Sequence, residues 1–450
     1  MDGRVTSWRE LARPRRPLAV ALVNRLGRAL ERLGRGRVEL SEAALLAAAR
    51  AATGLDDLGD PAFRQGLARQ LEAIEAEAAL SPLGRLIART NLVRVLSNRL
   101  RIEDTLRRHP EIEEQELLPP VVIAGLQRTG TTLLHRLLAQ DSGQLRALAS
   151  WEAINPAPWP EARGLARLAR RLWSDGADGR VGVARLAERS LRYLAPDFFS
   201  IHPVEAHAPE EDCLLFDYCL LSTVPEATLR VPSYSAWLQR QDLTPAYRYV
   251  RRVLQLLAWS RPESDGPALR RAAGDRRPAR PVRWVLKTPF HMEYLDRLLE
   301  VFPGAHVIQT HRDPVRALAS YCSMLAHGRR IFSERVDPLE IGAQWSAKAE
   351  RMITRSMAER ARRGDDPGQF VDVAYAALVA DPVGQVRRIY DALGLPLAAE
   401  LPARLRRFVA DNPQHKHGRH RYRPEDFGLD RGALERRFEA YYRRYDVPRG

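Results

Sequence analysis

The run Val121-Val122-Ile123-Ala124-Gly125-Leu126-Gln127-Arg128-Thr129-Gly130-Thr131-Thr132-Leu133-Leu134-His135 holds the residue types of an anion cradle. The apolar residues Val121 to Ala124 predict a core strand. Gly125 and Gly130 let backbone N–H groups approach an anion, and Thr131 and Thr132 open a helix whose positive end faces it. An ATP-binding loop of the form G-x-x-x-x-G-K-[ST] sets a lysine after the second glycine, for the β- and γ-phosphates, and a hydroxyl for Mg²⁺. Here Thr131 stands at the lysine position, and the cation comes earlier, as Arg128.

A second pair of segments repeats the strand, turn, helix pattern: Trp284-Val285-Leu286-Lys287-Thr288-Pro289-Phe290-His291, and His306 to Pro314 running on to Ser320. Arg312 offers a planar fork suited to a phosphate, and Ser320 can add a hydroxyl if the chain folds back around the anion. Only three of the 71 Lys and Arg residues are lysine, namely Lys287, Lys348 and Lys416. A chain that writes nearly every cation as arginine keeps lysine where a compact point charge matters, and Lys287 follows an expected core strand. Its ammonium could neutralise a bridging oxygen for which a guanidinium is too broad. The bland alternatives are a plain strand-to-helix turn, a solvated Arg312 beside a capping Asp-Pro turn, and chance at Lys287.

Gln127 to Thr132, Lys287-Thr288-Pro289 and His311 to Ser320 together resemble, in order and kind, the large bacterial branch of the sulfotransferases that use 3′-phosphoadenosine 5′-phosphosulfate (PAPS). The likeness runs from about residue 118 to 445 and takes in Asp372-Val373-Ala374-Tyr375, Asp381-Pro382 and the stretch through Ile389 and Tyr390. It implies an α/β fold with a P-loop-type parallel sheet flanked by helices. It also implies PAPS as co-substrate, no metal, and transfer of a sulfuryl group to a hydroxyl of a small-molecule or lipid-like acceptor. Under it, Arg128, Thr129, Gly130, Thr131 and Thr132 form a cofactor-binding loop in which the N–H groups of Gly130 to Thr132 and the hydroxyls of Thr131 and Thr132 hold the 5′-phosphate, and Arg312 and Ser320 hold the 3′-phosphate. Arg128 and Lys287 offset charge on the bridging oxygen and the sulfuryl group. Lys416, Gly418 and Arg419 are a loose counterpart of the family's glycine-containing basic loop on the 3′-phosphate. Many relatives carry their basic histidine directly after Lys-Thr, where this chain has Pro289. His291, Glu211 in Ala208-Pro209-Glu210-Glu211-Asp212, and Glu152 are the substitutes, with Glu211 and His291 favoured as a pair. A carboxylate base would need partial burial to lift its pKa toward the working pH.

The elements that position these residues follow from length and periodicity. A chain of 450 residues exceeds one ordinary domain, which predicts a helical accessory region over residues 1–115 and a PAPS-binding domain over 118–450, with an acceptor-binding insertion at about 150–280. From Pro17 to Arg107 apolar residues recur at helical spacing, giving about four helices, with Ser41-Glu42-Ala43-Ala44 as one start. The first of them, through Leu18, Leu22, Leu26 and Leu30, is basic and amphipathic. Packing against the core is the favoured use of its apolar side, and contact with a membrane surface the alternative. Residues 162–195 look helical, and Pro196 to Asp212, with His202, Glu205, His207, Glu210 and Glu211, reads as irregular. Arg261 to Pro281 is an Arg-, Pro- and Gly-rich excursion, Asn412 to Asp430 is irregular, and Arg431 to Tyr445 is a closing helix with an aromatic face at Phe438, Tyr441 and Tyr442.

A net charge of +15 raises the question of nucleic acid. The arginines are spread along the chain, aromatics make up only 7%, and no helix-turn-helix or zinc-finger spacing occurs, so a polyanionic nucleotide accounts for the charge better than nucleic acid does. The two rivals are a P-loop kinase and a basic nucleic-acid-binding protein. Three cysteines without metal-type spacing fit a reducing compartment, and no apolar run reaches the length of a membrane span. The expectation is a cytoplasmic protein.

Overall fold

The computed structural model describes residues 17–159, 179–260, 281–412 and 422–450. Five strands form one parallel sheet in the order β2-β3-β1-β4-β5. They are β1 (Leu117–Gly125), β2 (Arg146–Ala147), β3 (Val282–Lys287), β4 (His306–His311) and β5 (Phe370–Ala374). The expected strand at Val121 to Ala124 is thus the centre of a longer one, with Pro119 and Pro120, which lack N–H groups, marking a break in its register with β3. Alternate residues of β1 serve opposite faces. Val121 and Ile123 pack with Leu134, Leu137, Leu378, Ile389 and Tyr390 on one side. Val122 and Ala124 pack with Trp284, Leu286 and Val307 on the other. Burial on both faces explains why these strands are runs of apolar residues rather than alternating ones.

Among the described residues four α-helices precede the sheet, Leu18–Arg32, Glu42–Thr53, Phe63–Glu77 and Pro82–Arg108. Ser41 caps the second by accepting from the Ala44 N–H at 3.2 Å. Leu45, Phe63, Leu67, Leu96 and Leu100 of these helices join the same continuous core as Trp284, Leu286 and the helices Thr244–Ser260, Pro314–Phe332 and Pro338–Arg362. Between the strands, Gly179–Leu194 is helical as expected, while residues 160–178 of that stretch and most of the Arg-rich excursion, 261–280, lie outside the described residues. The segment read as irregular opens instead with a short helix, Pro196–Ile201, started by a proline at its first turn. The closing helix is two, Arg431–Arg437 and Glu439–Tyr445, and it buries Phe438, Tyr441 and Tyr442.

The chain leaves central β1 toward β3 and β2 on one side, then crosses to β4 and β5 on the other. The strand order therefore reverses at β1. The carboxyl ends of β1, β3 and β4 open into a crevice at that point, where ligands of open α/β sheets bind.

Candidate active site

The loop after β1 turns through Arg128, a non-glycine residue in the left-handed region at φ 68°, and Gly130 at φ 92°, before the Thr131–Leu138 helix begins. A Cβ on Gly130 would lie 3.0 Å from the Tyr375 ring and 3.2 Å from Leu378, so the turn is held from outside as well. Thr131 and Thr132 occupy the first helical turn, whose N–H groups have no partner within the helix. Thr129 is fully buried, and its hydroxyl is spent inside the fold, bonded to the Leu126 carbonyl and to Thr310 Oγ1 at 2.6 Å each. Its contribution to a ligand is limited to its backbone.

Strained backbone at Arg128 aims two groups at once. Its carbonyl accepts from the Arg312 guanidinium at 2.8 Å, and its Nε donates to Ser320 Oγ at 3.2 Å. Arg312 follows the end of β4 and lies over the Tyr375 ring, 4.2 Å from its centroid. Ser320 sits on the Pro314–Phe332 helix, which Asp313 caps by accepting from the Val315 N–H. Arg128, Arg312 and Ser320 are therefore one cluster, although 192 residues separate Arg128 from Ser320. Burial pushes the Arg128 guanidinium below its ordinary pKa; Tyr422 opposes that shift and neighbouring Arg312 adds to it. Among the described residues neither guanidinium meets a carboxylate.

A second cluster stands at the end of β3. Lys287, buried, donates to Glu211 Oε1 at 2.5 Å and to Thr132 Oγ1 at 3.4 Å. The acidic segment reaches this place because a short antiparallel bridge joins Ala149 to Pro209, with the Glu210 N–H donating to the Leu148 carbonyl at 2.8 Å. Asp212 then accepts from the Lys287 backbone N–H at 2.8 Å, fixing the turn against the strand end. Burial alone would raise the Asp212 carboxyl, but the adjoining His291 ring and that N–H outweigh it and hold the pKa low. Glu210, beside them, is pushed upward by burial.

Two expected candidates for a base fail on access. His291 is 1% exposed, with Nδ1 2.9 Å from Tyr247 Oη and Nε2 2.9 Å from Asp212 Oδ2. Nδ1 is taken by Tyr247 and Nε2 faces the Asp212 carboxylate inside the protein, so the buried ring is not placed to meet an acceptor. Glu152 is equally buried, accepting from Arg146 at 2.8 Å and from the Ala149 N–H at 3.0 Å. Glu211 keeps a side chain 19% exposed beside Lys287. Lys416, Gly418 and Arg419 lie outside the described residues.

His202 is a site neighbour that was not singled out in the sequence. Burial lowers its pKa to about 4, Glu211 pulls it up, and the nearby Lys287 and Arg128 push it down. The imidazole is thus neutral at ordinary pH, within electrostatic reach of Glu211, Lys287 and Arg128. Its position after a helix-starting proline within a His- and Glu-rich stretch was the only local signal.

The donor set suits a doubly charged nucleotide. It comprises two guanidiniums that meet no carboxylate among the described residues, one ammonium, three hydroxyls and a helix N-terminus. Gln127 Nε2 and Thr288 Oγ1, buried at the ends of β1 and β3, have no partner among the described residues. The lysine required by a kinase-type loop is absent from the helix start, where Thr131 stands.

Comparison with known proteins agrees with this geometry. A sequence model described as Sulfotransferase family matches residues 119–399. The chain is 28% identical over 304 residues, 66% of its own length and 68% of theirs, to the omega-hydroxy-beta-dihydromenaquinone-9 sulfotransferase Stf3 of Mycobacterium bovis and of Mycobacterium tuberculosis. Among crystal structures, sulfotransferase STF1 from Mycobacterium tuberculosis superposes with a TM-score of 0.73 at 32% identity, covering 90% of this chain and 100% of that one. Sulfotransferase STF9 from Mycobacterium avium superposes with a TM-score of 0.76 at 27% identity, covering 91% and 98%. With the switch-point crevice, the lysine-free anion loop and these matches in hand, the chain belongs to the sulfotransferase family.

Proposed function

We propose that this sulfotransferase takes its sulfuryl group from PAPS and passes it to a hydroxyl of a lipid-like acceptor. The observation that carries the donor assignment is the cluster in which Arg128 reaches Ser320 and Arg312 reaches the Arg128 carbonyl, with no carboxylate on either guanidinium among the described residues. Both guanidiniums are half-buried, and cations drawn out of water are ordinarily paired, so this cluster suits an anion brought from outside. PAPS, when bound, would supply a sulfuryl sulfur open to in-line attack and a bisphosphate leaving group. Arg312, Ser320 and Arg128 would hold the 3′-phosphate. The N–H groups of Gly130 to Thr132, with the hydroxyls of Thr131 and Thr132, would hold the 5′-phosphate.

Lys287 stands 3.4 Å from Thr132 and therefore beside the 5′ site, where a compact ammonium can neutralise charge growing on the leaving oxygen. Glu211, in contact with Lys287, is the base that takes the acceptor's proton. Support for a lipid-like acceptor comes from the likeness to Stf3, named for a hydroxylated menaquinone.

Thermal-shift and calorimetric titration with adenosine 3′,5′-bisphosphate, adenosine 5′-phosphate and Mg²⁺-ATP tests the reading. The bisphosphate should stabilise most, because a tight ligand of the folded state raises its melting point. Arg312→Ala should weaken the bisphosphate roughly thirtyfold or more and leave the 5′-phosphate nearly unchanged. Equal losses for both nucleotides, or a preference for Mg²⁺-ATP, would refute it.

A further inference from the structure

The Leu18–Arg32 helix sits on the protein the wrong way round. Its inward side is Val20, Asn24 and Gly27, with Asn24 Oδ1 accepting from the Leu83 N–H at 2.9 Å and Gly27 pressed on Pro82. Its apolar side faces solvent. Leu18 is 90% exposed, Leu22 58% and Leu26 57%, with Val23, Leu30 and Leu33 also exposed. On a 3.6-residue period Leu18, Leu22, Leu26, Ala29 and Leu33 form one stripe, opposite Asn24. A soluble protein rarely spends so large an apolar surface on water unless something covers it.

Charge indicates what does. Between Leu18 and Val38 the chain carries Arg25, Arg28, Arg32, Arg35 and Arg37 against a single acid, Glu31. Arg28 is taken by Glu334 and Arg37 by Glu75, whereas Arg25, Arg32 and Arg35 are exposed and make no ion pair among the described residues. An apolar stripe edged by free arginines is the pattern of a helix lying in the interface of a bilayer with anionic headgroups. Next to the helix lies a groove of about 250 Å³, lined by Val20, Leu83, Leu194 and Phe198 together with His327 and Arg330. Three residues beyond Phe198, the Ile201 carbonyl accepts from Arg128 at 3.4 Å. The Pro314–Phe332 helix also spans groove and site, since His327 of the groove lies seven residues, roughly 10 Å, from Ser320.

We propose that the Leu18–Arg32 helix docks this enzyme on the surface of a membrane containing anionic lipid. This goes beyond the assignment of donor and acceptor and does not depend on it.

The test is co-sedimentation of the full chain with vesicles of phosphatidylcholine alone and of phosphatidylcholine with about one-third phosphatidylglycerol, at low and high salt. The wild type should partition onto the anionic vesicles, and Leu22→Ser/Leu26→Ser should abolish this. Arg25→Gln/Arg32→Gln should weaken it roughly tenfold or more. Because these side chains are exposed, all variants should keep their melting points and their response to adenosine 3′,5′-bisphosphate, a readout that fails separately if the donor assignment is wrong. No binding to anionic vesicles, equal binding by the leucine variant, or equal binding to neutral vesicles would overturn the proposal. So would a dimer in analytical ultracentrifugation that the leucine variant dissolves, since a second copy would then be what covers the face.

Discussion

At the scale of single residues, the rarity of lysine turns out to be informative. Both lysines among the described residues are buried and paired with glutamate: Lys287 with Glu211, and Lys348 with Glu226 and Glu293. Their surroundings set opposite roles. Lys348 lies against Phe290 and Trp345 with two carboxylates fully enclosed, and since Glu293 also meets Arg351, Lys348→Met should strand chiefly the Glu226 charge and destabilise the fold by about 3 kcal/mol or more in urea unfolding. Lys287 opens toward the anion loop. Lys287→Met should instead lower kcat by about a hundredfold while changing nucleotide affinity only a few-fold, as for loss of a group that acts on transition-state charge. Glu211→Gln should cost about a hundredfold or more in kcat, and its pH–rate profile should lose the acidic limb. An unaltered profile would remove Glu211 as the base.

Among the elements, the strand-loop-helix unit after β1 carries the most constraint. Gly130 has a φ that side chains rarely adopt, and a Cβ there would press on Tyr375, the ring under Arg312. Gly130→Ala should therefore destabilise the protein by about 1–3 kcal/mol and weaken adenosine 3′,5′-bisphosphate, through displacement of Tyr375 as well as of the loop. Calorimetric titration and thermal unfolding of the same variant separate the two effects. Much of this unit was legible beforehand. The apolar run, the two glycines and the paired threonines announce strand, turn and helix because each depends on neighbours a few residues away. The Pro196–Ile201 helix was not legible. Its six residues carry no clear apolar period, and it packs against the Pro314–Phe332 helix, with Phe198 close to Gly328.

For the molecule as a whole, stability in acid should depend on histidines that the fold keeps neutral. Burial lowers His135 to about 3 and His202 to about 4, with the Lys287 charge adding to both. The unfolded chain titrates near 6.5, so as pH falls below that value it takes up protons that the folded state refuses. Stability is then lost from about pH 6.5 down toward pH 4, by roughly 1 kcal/mol per pH unit for each histidine near pH 5. His202→Gln should make the slope of unfolding free energy between pH 5 and pH 6 shallower by about that amount. A slope identical to wild type would show that His202 is solvated.

What the sequence determined by itself was chemistry with short reach. The lysine-free anion loop, Lys287 at a strand end and the N-cap at Ser41 rest on residue types and on periods of two or 3.6, while the Arg312 and Ser320 pairing and the parallel sheet followed from the resemblance to the sulfotransferases. Tertiary structure alone decided which charges meet and which faces are covered. Glu211 reaches Lys287 across 76 residues, and Arg128 reaches Ser320 across 192. His291 and Glu152, equally plausible by position, are instead enclosed by Asp212, Tyr247 and Arg146. The amphipathic stripe of the first helix was plain, but its outward direction was not. Periodicity defines an apolar face, whereas the choice between core and solvent depends on what the rest of the chain sets against it, here Leu83 and Pro82 on the polar side.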